Sequence, residues 1–429
     1  MGDFNFEPIF PKYGLKKDPY FREALKIDGG VVPIDTLVGR NKEKEEISII
    51  IQKGGGQRAI VVGEPGVGKT SLVNYMRSKS INSSYFTPIV EIGLERGWGV
   101  SEVIVNTLQA IYQEIKRKNV ILKNNKLLGS LEELFEISMM ISGSEFRNNS
   151  YAMVNTQSLM NLYNRTTEAI IECGYRAIII QYNNLDNIEY IEEVDKLLNN
   201  LRDFFQNHHT IFFLIGDVYL PKIINLKSRL REIFTFPEIK VEPLCYEDIT
   251  SLIAGRLNAL KLKTNITVIQ PHSEEALKTL YELHHGNIRD ILNSLSNSVN
   301  TKSITTTSAT KTKQILIDKS KELFLNEISP GELETLLEIV ESGSITNSEL
   351  AELTGKYRQH VSSYLKKLKD VKAIEVDYKE GTKIFYKPTM EAMWLKLNVT
   401  SEELEEERKR VQKKVELFQK KLRDFSKSI

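Results

Sequence analysis

Short apolar runs alternate with longer amphipathic stretches through the first half of the chain. "RAIVVG" from Arg58, "YFTPIVEIGL" from Tyr85, "RAIIIQY" from Arg176 and "TIFFLIG" from Thr210 are continuous and largely β-branched or aromatic. Such runs predict strands buried on both faces. Between them lie helical segments: "RNKEKEEISIIIQ", ended by glycines 54 to 56, "KTSLVNYMRSK", and a long region from Ser101 to Cys173 broken near Asn124 and Asn148. Strands that alternate with helices imply an α/β fold with a parallel sheet covered on both sides.

Further on the pattern changes. From "FPEIKVEPLCYEDITSLIAGRL" it is helical to about Asn300. "TKSITTTSATKTKQ" then reads as a polar linker or exposed loop, with a helix opening at Ile315. Three helices and a hairpin follow from about Pro330 to Pro388. In the last stretch, Leu404, Val411, Val415, Phe418, Leu422, Phe425 and Ile429 recur at steps of four and three, with Arg408 in the missing seam position. That is a heptad seam, and it suits either a helix packed on its own domain or a coiled-coil partner surface. The expected divisions are an irregular segment over 1–36, an α/β core over 37–240 and a helical domain over 241–300. A linker and helix then occupy 301–329, a compact domain 330–390 and the heptad helix 400–429.

At 429 residues the chain is too long for one ordinary core. Its 41% hydrophobic and 27% charged content is that of a soluble globular protein. No apolar run reaches the roughly 18–20 residues of a membrane span, so no membrane contact is expected. The amino-terminal residues carry no secretory pattern. Two cysteines far apart, Cys173 and Cys245, fit a reducing cytoplasm and argue against a disulfide framework. A net charge of +1 supplies no global attraction for nucleic acid, so any such contact must rest on a local basic patch.

"GEPGVGKT", Gly63 to Thr70, satisfies G-x-x-x-x-G-K-[ST] between an expected strand and an expected helix, the context a phosphate-binding loop requires. Gly63, Glu64, Pro65, Gly66, Val67 and Gly68 would turn backbone N–H groups toward phosphate oxygens. The helix beginning near Lys69 adds its free N–H groups and positive dipole end. Lys69 would bridge the β- and γ-phosphates of ATP or ADP, and the Thr70 hydroxyl, followed by Ser71, would ligate magnesium.

With that loop in place the chain resembles the AAA+ ATPases, in particular archaeal origin-recognition initiators and related archaeal or bacterial ATPases with a winged-helix tail. Further pieces match in order. "LVGR" resembles the segment that lines the adenine pocket, implying roles for Val38 and Arg40. "IFFLIGD" resembles the sensor 1 strand and puts Asp217 near the γ-phosphate. "LKSRLREIF" resembles the segment that offers an arginine to a neighbouring subunit, with Arg229 the first candidate and Arg231 the second. "HGNIRDIL" resembles the sensor 2 helix, with Arg289 reaching the γ-phosphate. The resemblance runs from Leu37 to Pro388. It implies a parallel-sheet P-loop AAA+ core with a helical lid, a winged helix-turn-helix and a carboxy-terminal amphipathic, coiled-coil-like helix.

One departure stands out. The family pattern after "RAIIIQY" is a magnesium aspartate, then a glutamate that activates water. Here Asn183 and Asn184 occupy those positions, and Asp186 matches the last acid. Asparagine can hold a magnesium-bound water through its oxygen but brings no charge, and Asn184 can orient a water but cannot take its proton. General-base help is worth roughly 10²–10⁴-fold, so hydrolysis is expected to be slow or absent. A different register would make Asp217 the magnesium acid.

"TNSELAELTGKYRQHVSSYLKKLKDVKAIEVDYKEGTKIFYKP" has the pattern of a winged helix-turn-helix. Val361, Tyr364, Leu365 and Leu368 keep helical spacing and would pack inward. Lys356, Tyr357, Arg358, Gln359, Ser362 and Ser363 would then face duplex DNA at the start of a recognition helix, with Lys366 beside them and Lys379 and Lys383 on the wing. This is the missing basic patch, although a module of this kind also suits a protein partner. The sequence therefore suggests a nucleotide-dependent DNA-binding and assembly switch, homo-oligomeric through Arg229 and the carboxy-terminal helix. The alternatives are a protein-contacting signalling or scaffolding switch and a competent motor ATPase.

Overall fold

Five strands of the first half pair in parallel, with the run from Thr210 in the middle of the sheet. The computed structural model describes residues 7–95, 97–142, 155–185, 191–226, 228–301, 304–380 and 382–398. In chain order the elements of the first half begin with α1 (Asn41–Gln52), β1 (Arg58–Val62), α2 (Lys69–Ile81), β2 (Ile92–Gly93) and α3 (Val100–Arg117). They continue with α4 (Asn125–Ser142), α5 (Thr156–Glu172), β3 (Ile178–Asn183), α6 (Ile191–Asn200), α7 (Arg202–Phe205) and β4 (Thr210–Gly216). After α8 (Leu220–Leu226) and α9 (Ser228–Arg231) come β5 (Ile239–Lys240) and α10 (Tyr246–Ala259).

Every residue of β3 and β4 is buried, as the unbroken apolar runs require of central strands. Side chains alternate between two cores. Ile178, Ile180, Tyr182, Phe212 and Leu214 meet α3 and α5, while Ile179, Phe213 and Ile215 meet Ile47 and Ile50 of α1 and Leu72 and Val73 of α2. The edge beside β3 differs from expectation. Instead of one long strand from Tyr85, the chain bridges at Phe86 against Ile178 and resumes as the two-residue β2. Pro88 lies in that run, and its missing N–H cannot serve a ladder.

The chain divides into two compact units, Phe21–Leu260 with Gly286–Arg289, and the remainder. The second unit contains α11 (Glu274–His284), most of α12 (Ile288–Asn297), α13 (Ala309–Phe324) and α14 (Pro330–Ser342). Then follow β6 (Ile345–Thr346), α15 (Asn347–Thr354), α16 (Arg358–Asp370), β7 (Ile374–Glu380), β8 (Lys383–Pro388) and α17 (Met390–Met393). Local chemistry fixes the helix starts. Ser329 with Glu332 and Thr346 with Glu349 form capping boxes, and Ser273 and Ser308 cap α11 and α13. The three-stranded sheet is antiparallel in the order β6-β8-β7, and Leu336, Ile339, Leu350, Val361, Leu365 and Leu368 form the core beneath it.

Two stretches expected to be irregular are tied into this unit. The Tyr13 hydroxyl donates to the Asn300 carbonyl at 3.0 Å, and Thr307, buried, bridges to His272. The helix expected from Ile315 begins earlier, at Ala309, because Ser308 caps it. The heptad stretch over 400–429 lies outside the described residues. Among the described residues no helix is long and apolar enough to cross a membrane.

Candidate functional site

The loop between β1 and α2 is shaped by glycine. Gly66 (φ 91°) and Gly68 (φ 98°) adopt left-handed backbone, and Gly68 is the N-cap of α2. The loop thus leads directly into the first turn of α2, and helix amino termini favour anions. Lys69 is buried, and its Nζ donates to the carbonyls of Gly63 (2.7 Å) and Glu64 (3.0 Å). Its ammonium thus stands in the mouth of the loop. Thr70 follows in the first turn. The Ser71 hydroxyl instead accepts from the Leu25 N–H at 3.0 Å, fastening the preceding segment to α2.

Two segments distant in sequence hold the loop. Arg40, the N-cap of α1 in left-handed backbone (φ 63°), donates to the Val67 carbonyl at 2.9 Å and pairs with Glu43 at 3.2 Å. Burial lowers its pKa, and Glu43 opposes that shift. Val38 is half-buried nearby in sequence. On the other side, Asn287 Nδ2 donates to the Pro65 carbonyl at 2.8 Å and the Arg289 N–H to the Gly66 carbonyl at 3.2 Å. The approach is so close that a Cβ on Gly66 would collide with Asn287 Oδ1 and stand 2.9 Å from Arg289 Cβ. The Arg289 side chain is exposed.

At the ends of β3 and β4 stand the residues that the resemblance sets beside the γ-phosphate. Asn183, the last residue of β3, is buried, and Asn184 is exposed with left-handed backbone (φ 65°), its amide close over Gly93. Asp186 lies outside the described residues. Asp217 follows β4, and its carboxylate accepts from the Tyr219 N–H at 2.8 Å, which shapes the turn into α8. Arg229 and Arg231 are exposed on the single turn of α9.

Sequence reasoning missed the polar groups around Asn183. Its Oδ1 accepts from Gln181 Nε2 (2.8 Å), and its Nδ2 donates to Glu91 Oε2 (2.8 Å). Glu91 Oε1 accepts from Asn74 Nδ2 (2.5 Å). Arg77 Nη1 donates to both Asn74 Oδ1 (3.1 Å) and Gln181 Oε1 (3.0 Å). Arg77 is buried, further held by Thr87 and by the Pro88 carbonyl, and burial pulls its pKa down to about 10, so it stays charged at neutral pH. One signal was visible: glutamine inside "AIIIQY" is a polar residue after an unbroken apolar run.

In the other unit, Tyr357 is the N-cap of α16 and 81% exposed. Arg358, Gln359, Ser362, Ser363 and Lys366 are exposed along the helix, as are Lys379 and Lys383 where β7 and β8 meet. Lys356 is different. It precedes α16 and is ion-paired with Glu334 of α14 at 2.5 Å. Ser362 accepts from Asn347 of α15 at 2.6 Å, which ties the two helices of the motif together.

No family model matches the chain. A Walker-type ATPase of Pyrococcus abyssi superposes over 89% of this chain and 100% of its own, with a TM-score of 0.50 at 16% identity. The core has the AAA+ P-loop fold. The Aeropyrum pernix ORC1 protein, solved in complex with DNA, is similar over 85% of this chain and 94% of its own, with a TM-score of 0.44 and 10% identity. By sequence, the ATP-binding subunit ClpE of the ATP-dependent Clp protease of Bacillus subtilis is 21% identical over 286 residues, 63% of this chain. The chain spans only 40% of that relative's length.

In this AAA+ core the phosphate loop and the end of β3 lie at the carboxyl ends of parallel strands, the edge at which α/β sheets take ligands. The loop fits the diphosphate of a nucleotide: left-handed glycines, a helix amino terminus and one buried ammonium. Magnesium bound with nucleotide needs few protein oxygens, since phosphates and waters complete its shell. The Thr70 hydroxyl suits it, and on the β3 side the described carboxylate is Glu91, reached through Asn183. No cluster of three or more His, Cys, Asp or Glu side chains suited to a metal occurs among the described residues.

Proposed function

We propose that this chain binds ATP or ADP with magnesium over Gly63–Ser71 and duplex DNA through its winged helix, as a nucleotide-dependent DNA-binding and assembly switch in a reducing cytoplasm. The observation that carries nucleotide binding is the loop itself, with Lys69 drawn into its mouth and the Asn287–Arg289 segment bonded to its rim. Arg289, beside Gly66 with an exposed side chain, is the group that would sense a γ-phosphate. Arg229, exposed on α9, would reach a neighbouring subunit's nucleotide, and the heptad helix would add to self-association.

Hydrolysis is slow or absent in this reading. Neither Asn183, whose amide is held by Gln181 and Glu91, nor Asn184 can accept a proton from water. For DNA, the exposed Arg358, Gln359, Ser362, Ser363 and Lys366 on the first turns of α16, with Lys379 and Lys383 on the hairpin, give a polar reading face flanked by cations. The test is the nucleotide content and turnover of the purified protein with and without duplex, alongside Lys69→Ala. ATP retained intact, with DNA affinity or assembly lost in Lys69→Ala, is expected. Unchanged assembly and DNA affinity in that variant at saturating ATP would sink the switch.

A second reading has its own observation. Leu353 is 60% and Tyr357 81% exposed, close in sequence around the helix-turn-helix, and exposed apolar groups favour a protein partner. Failure to bind any duplex at low salt would move that reading to first place.

A further inference from the structure

The hydrogen bonds around Asn183 close into a ring. Arg77 is at one pole and Glu91 at the other, and the two arms between them are amides: Asn74 on one side, Gln181 and Asn183 on the other. The ends set every amide's direction. A guanidinium only donates, so the oxygens of Asn74 and Gln181 face Arg77. A carboxylate only accepts, so the NH₂ groups of Asn74 and Asn183 face Glu91. The ring joins the phosphate-loop helix α2, the interior strand β3 and the residue entering β2.

An aspartate at 183 does not fit this ring. It would place a carboxylate against the Glu91 carboxylate, with no proton between them and like charges in contact. Asparagine at 183 and glutamate at 91 are therefore one arrangement rather than a loss. Together they keep one carboxylate, rather than two, within the ring, opposite the Arg77 guanidinium. That carboxylate stands on the segment entering β2, not on β3.

We propose that Glu91 is the acidic positioning residue of this nucleotide site, supplying through Asn183 the negative charge that favours a magnesium-bound nucleotide. The Asn183 oxygen keeps one lone pair for a metal-bound water, and its amide is polarised by the carboxylate behind it. This inference rests on the nucleotide-binding reading above and adds a residue to it. Restoring aspartate at 183 alone does not repair the site.

The test compares the unaltered chain with Glu91→Gln, Asn183→Asp and the double variant Glu91→Gln/Asn183→Asp. A fluorescent, slowly hydrolysed ATP analogue is titrated in magnesium and in chelator, and thermal unfolding is recorded for each protein. In the double variant the charge moves to position 183 while donors and acceptors still match. The introduced amide donates to the introduced carboxylate and accepts from Asn74. The expected result is that Glu91→Gln loses the tightening by magnesium, about tenfold or more, with affinity in chelator unchanged. Asn183→Asp melts lower than either the unaltered chain or the double variant, and the double variant recovers both melting temperature and magnesium response. A full magnesium response in Glu91→Gln, or in Asn183→Asp an improved one with no loss of melting temperature, overturns the inference. Should Glu91→Gln fail to fold, the double variant decides: no recovery overturns it. An unaltered chain that binds no nucleotide overturns the nucleotide-binding reading first, an outcome distinct from binding that ignores residue 91.

Discussion

The backbone N–H of Arg289 donates to the carbonyl of Gly66 at 3.2 Å, so the start of α12 is bonded directly to the phosphate loop. The approach leaves no room for a side chain at 66, where φ is 91° and a Cβ would press on Asn287 and Arg289. Gly66→Ala is expected to lower stability by about 1–3 kcal/mol, from the left-handed backbone and the displaced segment together. Nucleotide affinity should fall with it. Arg289→Ala leaves the backbone bond intact, so its expected effect is narrower: a smaller preference for ATP over ADP with little change in melting temperature. Equal losses for both nucleotides would remove Arg289 from γ-phosphate sensing.

Arg40 carries a different prediction because it is buried and paired on both sides. Removing its side chain leaves the Val67 carbonyl without that donor and Glu43 without its cation. Arg40→Ala should therefore cost about 3 kcal/mol or more, as for other broken buried pairs. Its left-handed backbone allows a control. Arg40→Gly removes the same hydrogen bond and ion pair but relieves the backbone, and should be the more stable of the two by about 1 kcal/mol. Denaturant midpoints for the two variants check this; an alanine variant as stable as the parent would mean that Arg40 does not hold the loop.

Why some of this was legible and some was not follows from range. β1, β3 and β4 announced themselves as unbroken apolar runs, because central strands of a covered sheet leave no polar face. The loop at Gly63–Thr70 was legible because its glycines, lysine and threonine act in sequence order. β2 is shorter than its apolar content suggests, since that content outweighs the missing N–H of Pro88 in the pattern. Glu91 was invisible. Its bonds to Asn74 and Asn183 join residues 17 and 92 positions apart, and no local pattern marks an acid that gains its meaning from a neighbouring strand. Gln181 was the one clue on the strand itself.

The winged helix separates its cations into two kinds. Arg358, Lys366, Lys379 and Lys383 are exposed, whereas Lys356 is half-buried and ion-paired with Glu334. Each of the first four, replaced by alanine, should weaken duplex binding on all sequences. It should also flatten the dependence of log affinity on log salt by about 0.9 for each phosphate that the side chain neutralises. Lys356→Ala should leave that slope unchanged and alter stability by no more than about 1 kcal/mol, as for a partly exposed pair. Gln359→Ala should instead change the preferred sequence with the slope constant. Fluorescence anisotropy across a salt series distinguishes these outcomes, and an unchanged slope in all four variants would place the DNA interface elsewhere.

Two buried histidines of the same unit predict how it responds to acid. His272 lies between the Tyr20 hydroxyl (3.0 Å) and the Ser298 hydroxyl (3.1 Å), and His284 Nε2 meets the Ser294 hydroxyl (2.8 Å), which also accepts from Trp394. Burial lowers the first to about 4 and the second to about 3, with neighbouring His285 adding to the shift of His284. In the unfolded chain both titrate near 6.5, so between that value and the folded ones the unfolded state binds more protons. Their contribution is thus complete above pH 6.5 and falls as pH drops, by up to about 1.4 kcal/mol per pH unit for each ring. Denaturant titrations at pH 7.5 and 5.0 should show the difference, and His272→Gln combined with His284→Gln should reduce it. A pH slope untouched by both substitutions would assign the acid sensitivity to carboxylates instead.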